Sequence, residues 1–313
     1  MKTNNKLHTH VSSLRGSYQS NLLLIFVLCF VIFTSCEKEI TVDLPIPDTK
    51  IVIEGAIESG QYPWVFVTTN TPYFSPVDSV VISHMIIGNA KVTVTDGIIT
   101  DSLQLTLDPY TFPFFKYVGS TIIGVSGKTY LLKVEVNGKI YTSHTTIPLI
   151  VQFDSLKFKP DFNKDTLGYV WLYLKDPDTL GNYYRAFTKT LGIDSVYLRP
   201  YPSVSDDRFF NGQFAEYSLS RGRNPLEDNK YDDNGLDSAG VSRFYFRKGQ
   251  TVVVKLCSID APHYDFWISI EQQFMTDGNP FASPISARSN ISGGALGIWG
   301  GYGAYLDTLY IPK

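Results

Sequence analysis

From Lys50 onward, apolar and polar positions alternate in short runs separated by turn residues. KIVIEGAI, YPWVFVTT, AKVTVTD, TDSLQLTL, KTYLLKVEV and KIYTSHTTI each carry the two-residue period of a half-buried β-strand. Between KVEV and KIY, Asn137-Gly138 supplies the two positive-φ positions of a type I′ hairpin turn. VTVTDGIIT repeats the idea with Asp96-Gly97. Six or seven strands in about 100 residues predict a β-sandwich of immunoglobulin-like size. This N-terminal domain covers residues 50–148, closes at Ile147-Pro148, and lacks the Cys–Trp–Cys set of antibody domains.

The second region, 149–313, begins with further strand patterns: FDSLKFKP, GYVWLYLKD and NYYRAFTKT, then SRFYFRKG and QTVVVKLCSI after a polar stretch. In YVWLYLKD, Val170, Leu172 and Leu174 alternate with Trp171, Tyr173 and Lys175. The period then changes. SIDAPHYDFWISIEQQFM offers Ser258 or Asp260 as N-cap, Pro262 in the first turn, and Phe266, Trp267, Ile270 and Phe274 on one face. One helix is therefore expected at about 261–275, inserted in a β-rich domain. AYLDTLYIP reads as a last strand. The fold class expected is all-β, with two β-sandwich-like domains.

The N-terminus has a different pattern. Lys2, Lys6 and Arg15 precede the 12-residue apolar run Leu22–Phe33, and Thr-Ser-Cys follows it directly. The run is too short to span a bilayer, which takes roughly 20 helical residues. A basic region, a short apolar core, small residues and then a cysteine describe a lipoprotein signal over 1–35, cleaved before Cys36. Phe33 departs from the Leu usual three residues before such a cysteine. Cys36 is the expected lipidation site, and EKEITVDLPIPDT, acidic and with two prolines, reads as a tether over 36–49.

Removing 35 of 313 residues leaves 278 and takes three positive charges away, so the formal charge goes from −3 to −6. A mildly acidic chain without a basic tract gives nucleic-acid binding no electrostatic support. Cys29 lies in the signal and Cys36 is assigned to lipid, which leaves Cys257 alone in a strand-like run as a small buried hydrophobe. No disulfide is expected.

Motifs for chemistry are sparse. Gly127-Lys128-Thr129 lacks the P-loop glycine five residues earlier, where Ile122 stands. The mature histidines, His84, His144 and His263, are far apart in sequence, so only a noncontiguous hydrolase site stays open. In LEDNKYDDNGLD, an EF-hand alignment on Gly235 puts Lys230 at the first ligand and Val241 at the last, and fails. Asp228, Asp232, Asp233 and Asp237 remain weak candidates for a looser cation site, against a solvated loop. Asp206-Asp207-Arg208 is expected to hold an Asp–Arg surface pair, with adjacent carboxylates pointing apart. The closing stretch sets Trp299, Tyr302 and Tyr305 among glycines. Two readings compete there: a close-packed turn system, or aromatics exposed as a binding surface.

IVIEGAI, TPYF, GNAKVTV, GKTYLLKV, NYYR, DDRFFNGQ and NPFASPISARSNISGGALGIWGGYG, in this order and spacing, resemble the DUF4249 family of outer-membrane lipoproteins from Bacteroidota. The resemblance covers nearly the whole mature chain and carries over no catalytic residues or cofactor. It implies a lipid-anchored outer-membrane location, on the periplasmic or the surface face, near TonB-dependent transporters. The function expected is therefore a noncatalytic accessory to such a transporter. The alternatives are a saccharide- or peptide-binding module and a hydrolase.

Overall fold

The computed structural model describes residues 48–71, 79–276, 283 and 285–313. Asp48–Lys313 form one compact unit. Cys36, the signal segment and the tether up to Pro47 lie outside the described residues.

The fold is all-β and sandwich-like. Its backbone is an eight-stranded sheet. In spatial order its strands are β12 (Val204–Asp206), β11 (Tyr183–Thr190), β15 (Thr251–Ile259), β16 (Leu296–Tyr310), β1 (Ile51–Glu58), β2 (Trp64–Thr69), β6 (Phe115–Val118) and β5 (Gln104–Leu107). A four-stranded sheet contains β4 (Thr100–Ser102), β3 (Lys91–Thr95), β7 (Thr129–Val136) and β8 (Lys139–Thr146). The other small sheet contains β13 (Phe214–Leu219), β10 (Lys164–Lys175) and β14 (Phe246–Arg247), with β9 (Ser155–Asp161) also on β10.

Alternation along the strands decides which face is buried. Ile53 and Ile57 of β1 and Trp299 of β16 pack with Val92 and Val94 of β3 and with Tyr130, Leu132 and Val134 of β7. Val252, Val254 and Leu256 of β15 and Tyr184 of β11 pack with Val170, Leu172 and Leu174 of β10. The register puts Gly55 beside Trp299 and Leu256 beside Tyr305, so both small sheets cover the same face of the large one, here called the back.

The first and last strands, β1 and β16, are parallel neighbours in the middle of the large sheet. That sheet therefore runs beneath both regions marked out in the sequence. The chain changes from one small sheet to the other around Ile147-Pro148, passing over the back of β16. There a Cβ on Gly301 would lie 2.9 Å from Ile147 backbone atoms, and one on Gly303 would lie 2.5 Å from the Pro148 carbonyl oxygen. Glycine is required because two backbones cross in contact.

Asn137 and Gly138 adopt φ of 50° and 79°, and Val136 pairs with Lys139, as a type I′ hairpin requires. The Asp96 turn differs from its expected two-residue form. Thr95 pairs with Thr100, and the Asp96 carboxylate accepts from the N–H groups of Ile98 and Ile99, which closes a four-residue loop.

The expected helix is present as α2 (Ala261–Thr276) on the opposite, front face; α1 is the seven-residue Ser79–Met85. Asp260 caps α2 by accepting from the His263 N–H at 3.1 Å. Its other carboxylate oxygen accepts from the Thr145 hydroxyl at 2.7 Å, which ties the helix start to β8. Phe266 and Trp267 are buried, whereas Phe274, expected on the same face, is largely exposed. The sequence reading has no counterpart for α1: Val80, Val81 and Ile82 favour extended backbone by propensity.

Candidate functional site

The aromatic residues singled out in the glycine-rich stretch are not a surface. Trp299 is 0% exposed, and its indole N–H donates to the Tyr130 carbonyl at 3.1 Å. Tyr302 is buried on the front face beneath α2, and Tyr305 is half-buried against Phe153 at the back. The reading as an exposed binding surface is therefore overturned, whereas the close packing expected of the glycines is present. Gly293 and Gly294 form a turn at φ of 85° and 83°, and the glycines from Gly297 onward lie within strand β16, where they admit neighbours from both sides.

The acidic loop is committed to protein partners. Asp228 pairs with Arg223 and Arg243, and Asp237 with Arg247. Asp232 accepts from the N–H groups of Asn234 and Leu236, while Asp233 is exposed. Among the described residues, no group of three or more His, Cys, Asp or Glu side chains is arranged to hold a metal. Cys257 is fully buried, and burial pushes its thiol up to about 12. The three histidines sit on α1, β8 and α2.

A cleft of about 550 Å³ opens between the β12 edge of the large sheet and the outer side of α2. Helical spacing places Tyr264, Ile268 and Gln272 along it, and Tyr183 of β11 faces them. The Tyr183 and Tyr264 rings lie 4.9 Å apart at 32°. The Tyr264 hydroxyl donates to Asp206 at 2.8 Å, and Arg208 reaches the same carboxylate at 2.8 Å. The Arg208 hydrogen bonds, assisted by Tyr264, hold Asp206 below the usual carboxylate range; burial and Asp206 push the Tyr264 hydroxyl up to about 12. Asp265 and Arg288 form the outer rim at 3.4 Å.

Asp206 and Asp207 do point apart, and Asp206 pairs with Arg208 as expected. Asp207 is 1% exposed and accepts from the N–H groups of Gly181 and Asn182, fixing the loop that enters β11. Three of the segments behind the family resemblance therefore meet at this cleft: NYYR, DDRFFNGQ and the part of the closing stretch holding Arg288. Sequence reasoning missed the cleft because Tyr183 and Tyr264 are distant in the chain and meet only through β11, β15 and the α2 cap.

Behind the cleft, the next stripe of α2 carries His263, Trp267 and Glu271 onto the front of the sheet. Glu271 accepts from both the N–H and the hydroxyl of Ser203. His263 is fully buried beside Tyr302 with ring centroids 4.6 Å apart; burial, with Arg185 nearby, lowers its pKa to about 3. The imidazole is therefore neutral.

No curated protein matches the chain. A family model described as a domain of unknown function, DUF4249, matches residues 37–305. The match runs from just after Cys36 through β1, the cleft-forming segments and the buried half of β16, so the chain belongs to the DUF4249 family.

Proposed function

We propose that this protein is a noncatalytic, lipid-anchored component of the outer membrane that serves as an accessory to a TonB-dependent transporter and holds a ligand in the α2 cleft. The cleft carries this reading. Its volume falls within the range of small-molecule sites, roughly 300–1,000 Å³. Two tyrosine rings offer apolar faces, and Asp206, Arg208, Asp265 and Arg288 surround them with hydrogen-bonding groups. Such a lining suits a hydroxyl-rich or amide-rich ligand, a saccharide or a short peptide. The noncatalytic part is supported by Asp206, whose carboxylate is already engaged by Arg208 and Tyr264.

The anchor rests on the sequence around Cys36 and on a family match that starts one residue later, at Glu37. Among the described residues no helix is long and apolar enough to cross a membrane. One acyl chain anchors only reversibly whereas two or more anchor stably, so a diacylated Cys36 suffices to hold the folded unit on its tether.

The test uses the full chain with a C-terminal tag, the Cys36→Ser variant and a Tyr264→Ala/Arg208→Ala cleft variant. Wild type is expected to take up labelled fatty acid, fractionate with the outer membrane and co-purify with a β-barrel transporter. Cys36→Ser should lose the label and the fractionation. The cleft variant should keep both and lose ligand binding on a saccharide and peptide array. A Cys36→Ser protein that still reaches the outer membrane, or a cleft variant that binds like wild type, overturns the corresponding half of the proposal.

A further inference from the structure

The front of the large sheet holds a cation that no contact among the described residues neutralises. Arg185 of β11 is 2% exposed. Its Nη1 donates to the Tyr302 hydroxyl at 2.5 Å, and its guanidinium carbon lies 3.5 Å from the centre of the Trp267 ring. The Arg185 Nε and the Trp267 Nε1 are both buried and without a hydrogen-bond partner among the described residues. Withdrawing a charge from water is costly unless an opposite charge meets it, and an unpaired buried N–H adds to that cost. The molecule follows this rule elsewhere: Arg221 pairs with Asp194, and Lys255 with Glu58 at 2.7 Å. Among the described residues Arg185 has no such carboxylate, and Glu54 acts on it only through space.

A second guanidinium points at the same indole. The Arg199 guanidinium carbon lies 5.2 Å from the Trp267 ring centre, and this exposed residue likewise has no carboxylate partner among the described residues. Two cations around one ring repel each other. The charge of Arg199 indeed opposes protonation of Arg185, beside the larger effect of burial. Charge and hydrogen-bonding capacity both call for an anion here. Two fully buried donors lack a partner among the described residues, the Arg185 Nε and the Trp267 Nε1, one on each of two planar groups in contact, and such a pair suits the two oxygens of a carboxylate.

We infer that Arg185, Arg199 and Trp267 form a carboxylate-binding site, entered from the Arg199 side, for the C-terminus of a peptide or for an acidic sugar. This site is separate from the α2 cleft, which uses the neighbouring stripe of the helix, and it stands or falls independently of that reading.

The experiment titrates the purified full chain in detergent, at constant ionic strength in chloride, with N-acetylglycine, with glucuronate and with inorganic phosphate. Thermal midpoint and tryptophan fluorescence are read, and Trp267→Phe assigns the fluorescence change. A saturable response to N-acetylglycine identifies the peptide source, and one to glucuronate the sugar source. Arg199→Ala, a change at an exposed side chain, should weaken binding by about tenfold, the equivalent of one charge-assisted contact. Arg208→Ala in the cleft should leave it unchanged. Arg185→Gln should abolish it; should that variant fold poorly, Arg199→Ala alone decides. Indifference of wild type to both carboxylates, a stronger response to phosphate than to either, or undiminished binding by Arg199→Ala overturns the assignment.

Discussion

The two faces of β16 put adjacent residues into opposite kinds of environment. At the back, Trp299 is enclosed in an apolar cluster of aliphatic and tyrosine side chains, and its one polar atom is matched by the Tyr130 carbonyl. At the front, one residue further on, Gly300 makes room for His263, and around that ring stand Arg185, Trp267 and Tyr302. Among the described residues the front retains three buried side-chain atoms without partners clustered around that ring, on Arg185, His263 and Trp267. The Trp299 side chain retains none, and the orphans on the back of the large sheet are the hydroxyls of Thr188 and Thr190 in the last part of β11. Around Trp299 the back has the chemistry of a core whose task is stability. The front concentrates a buried cation and unpartnered ring nitrogens that stability alone does not use, and both the cleft and the proposed carboxylate site lie on that side.

The comparison breaks most visibly at Trp299. Trp299→Ala removes a fully enclosed indole from the contact between the large sheet and the β3–β7 layer, and should cost about 3–5 kcal/mol. Denaturant melts at unchanged slope measure it. A loss below about 1 kcal/mol would mean that the back is not the stabilising face.

A smaller effect is expected at Gly300. A Cβ there would lie 2.2–2.5 Å from three atoms of the His263 ring. Gly300→Ala should therefore push α2 off the sheet and destabilise by about 1–3 kcal/mol. Hydrogen exchange should show the loss of protection concentrated in α2, with β1 and β16 nearly as protected as before. Uniform loss throughout would show that the front packs as rigidly as the back.

The smallest expected effect is a pH dependence specific to the front. His263 is neutral in the fold, with its pKa lowered to about 3 by burial, while an unfolded histidine titrates near 6.5. Between these values the unfolded chain binds a proton that the folded chain does not, so stability falls as pH falls through 6.5. From pH 6.5 to 5.5 this one group should remove about 1 kcal/mol. His263→Gln should lack that increment, and urea melts of both proteins at the two pH values give the difference. Equal slopes would place a charged imidazole in the fold, contrary to its burial beside Arg185.

Local signals in the sequence were sufficient for much of this. Asn137-Gly138 specified its hairpin because both positive-φ positions are set within the turn itself. Asp260, Pro262 and the 3.6-residue period specified α2, since a cap and a helix face are local properties. The Asp206–Arg208 pair was legible for the same reason: its two partners are two residues apart. The Asp96 loop was misjudged by two residues because the bonds from its carboxylate to Ile98 and Ile99 compete with the shorter turn.

The glycine-rich end of the chain shows the other limit. The sequence by itself determined that the backbone there must approach something closely and that the aromatics must be in contact with something. It could not determine what. The reasons for Gly300, Gly301 and Gly303 are the His263 ring and the Ile147-Pro148 backbone, distant in the chain and brought together only by the parallel pairing of β1 with β16. The same pairing decided that Trp299 is core and that Tyr302 lies against Arg185. Alternation puts neighbouring residues on opposite faces, but only the packed layers say which face meets sheet and which meets helix. Strands, turns and caps are written in short-range sterics and hydrogen bonds, whereas a site made of β11, β12 and α2 exists only after long-range pairing has closed the sheet.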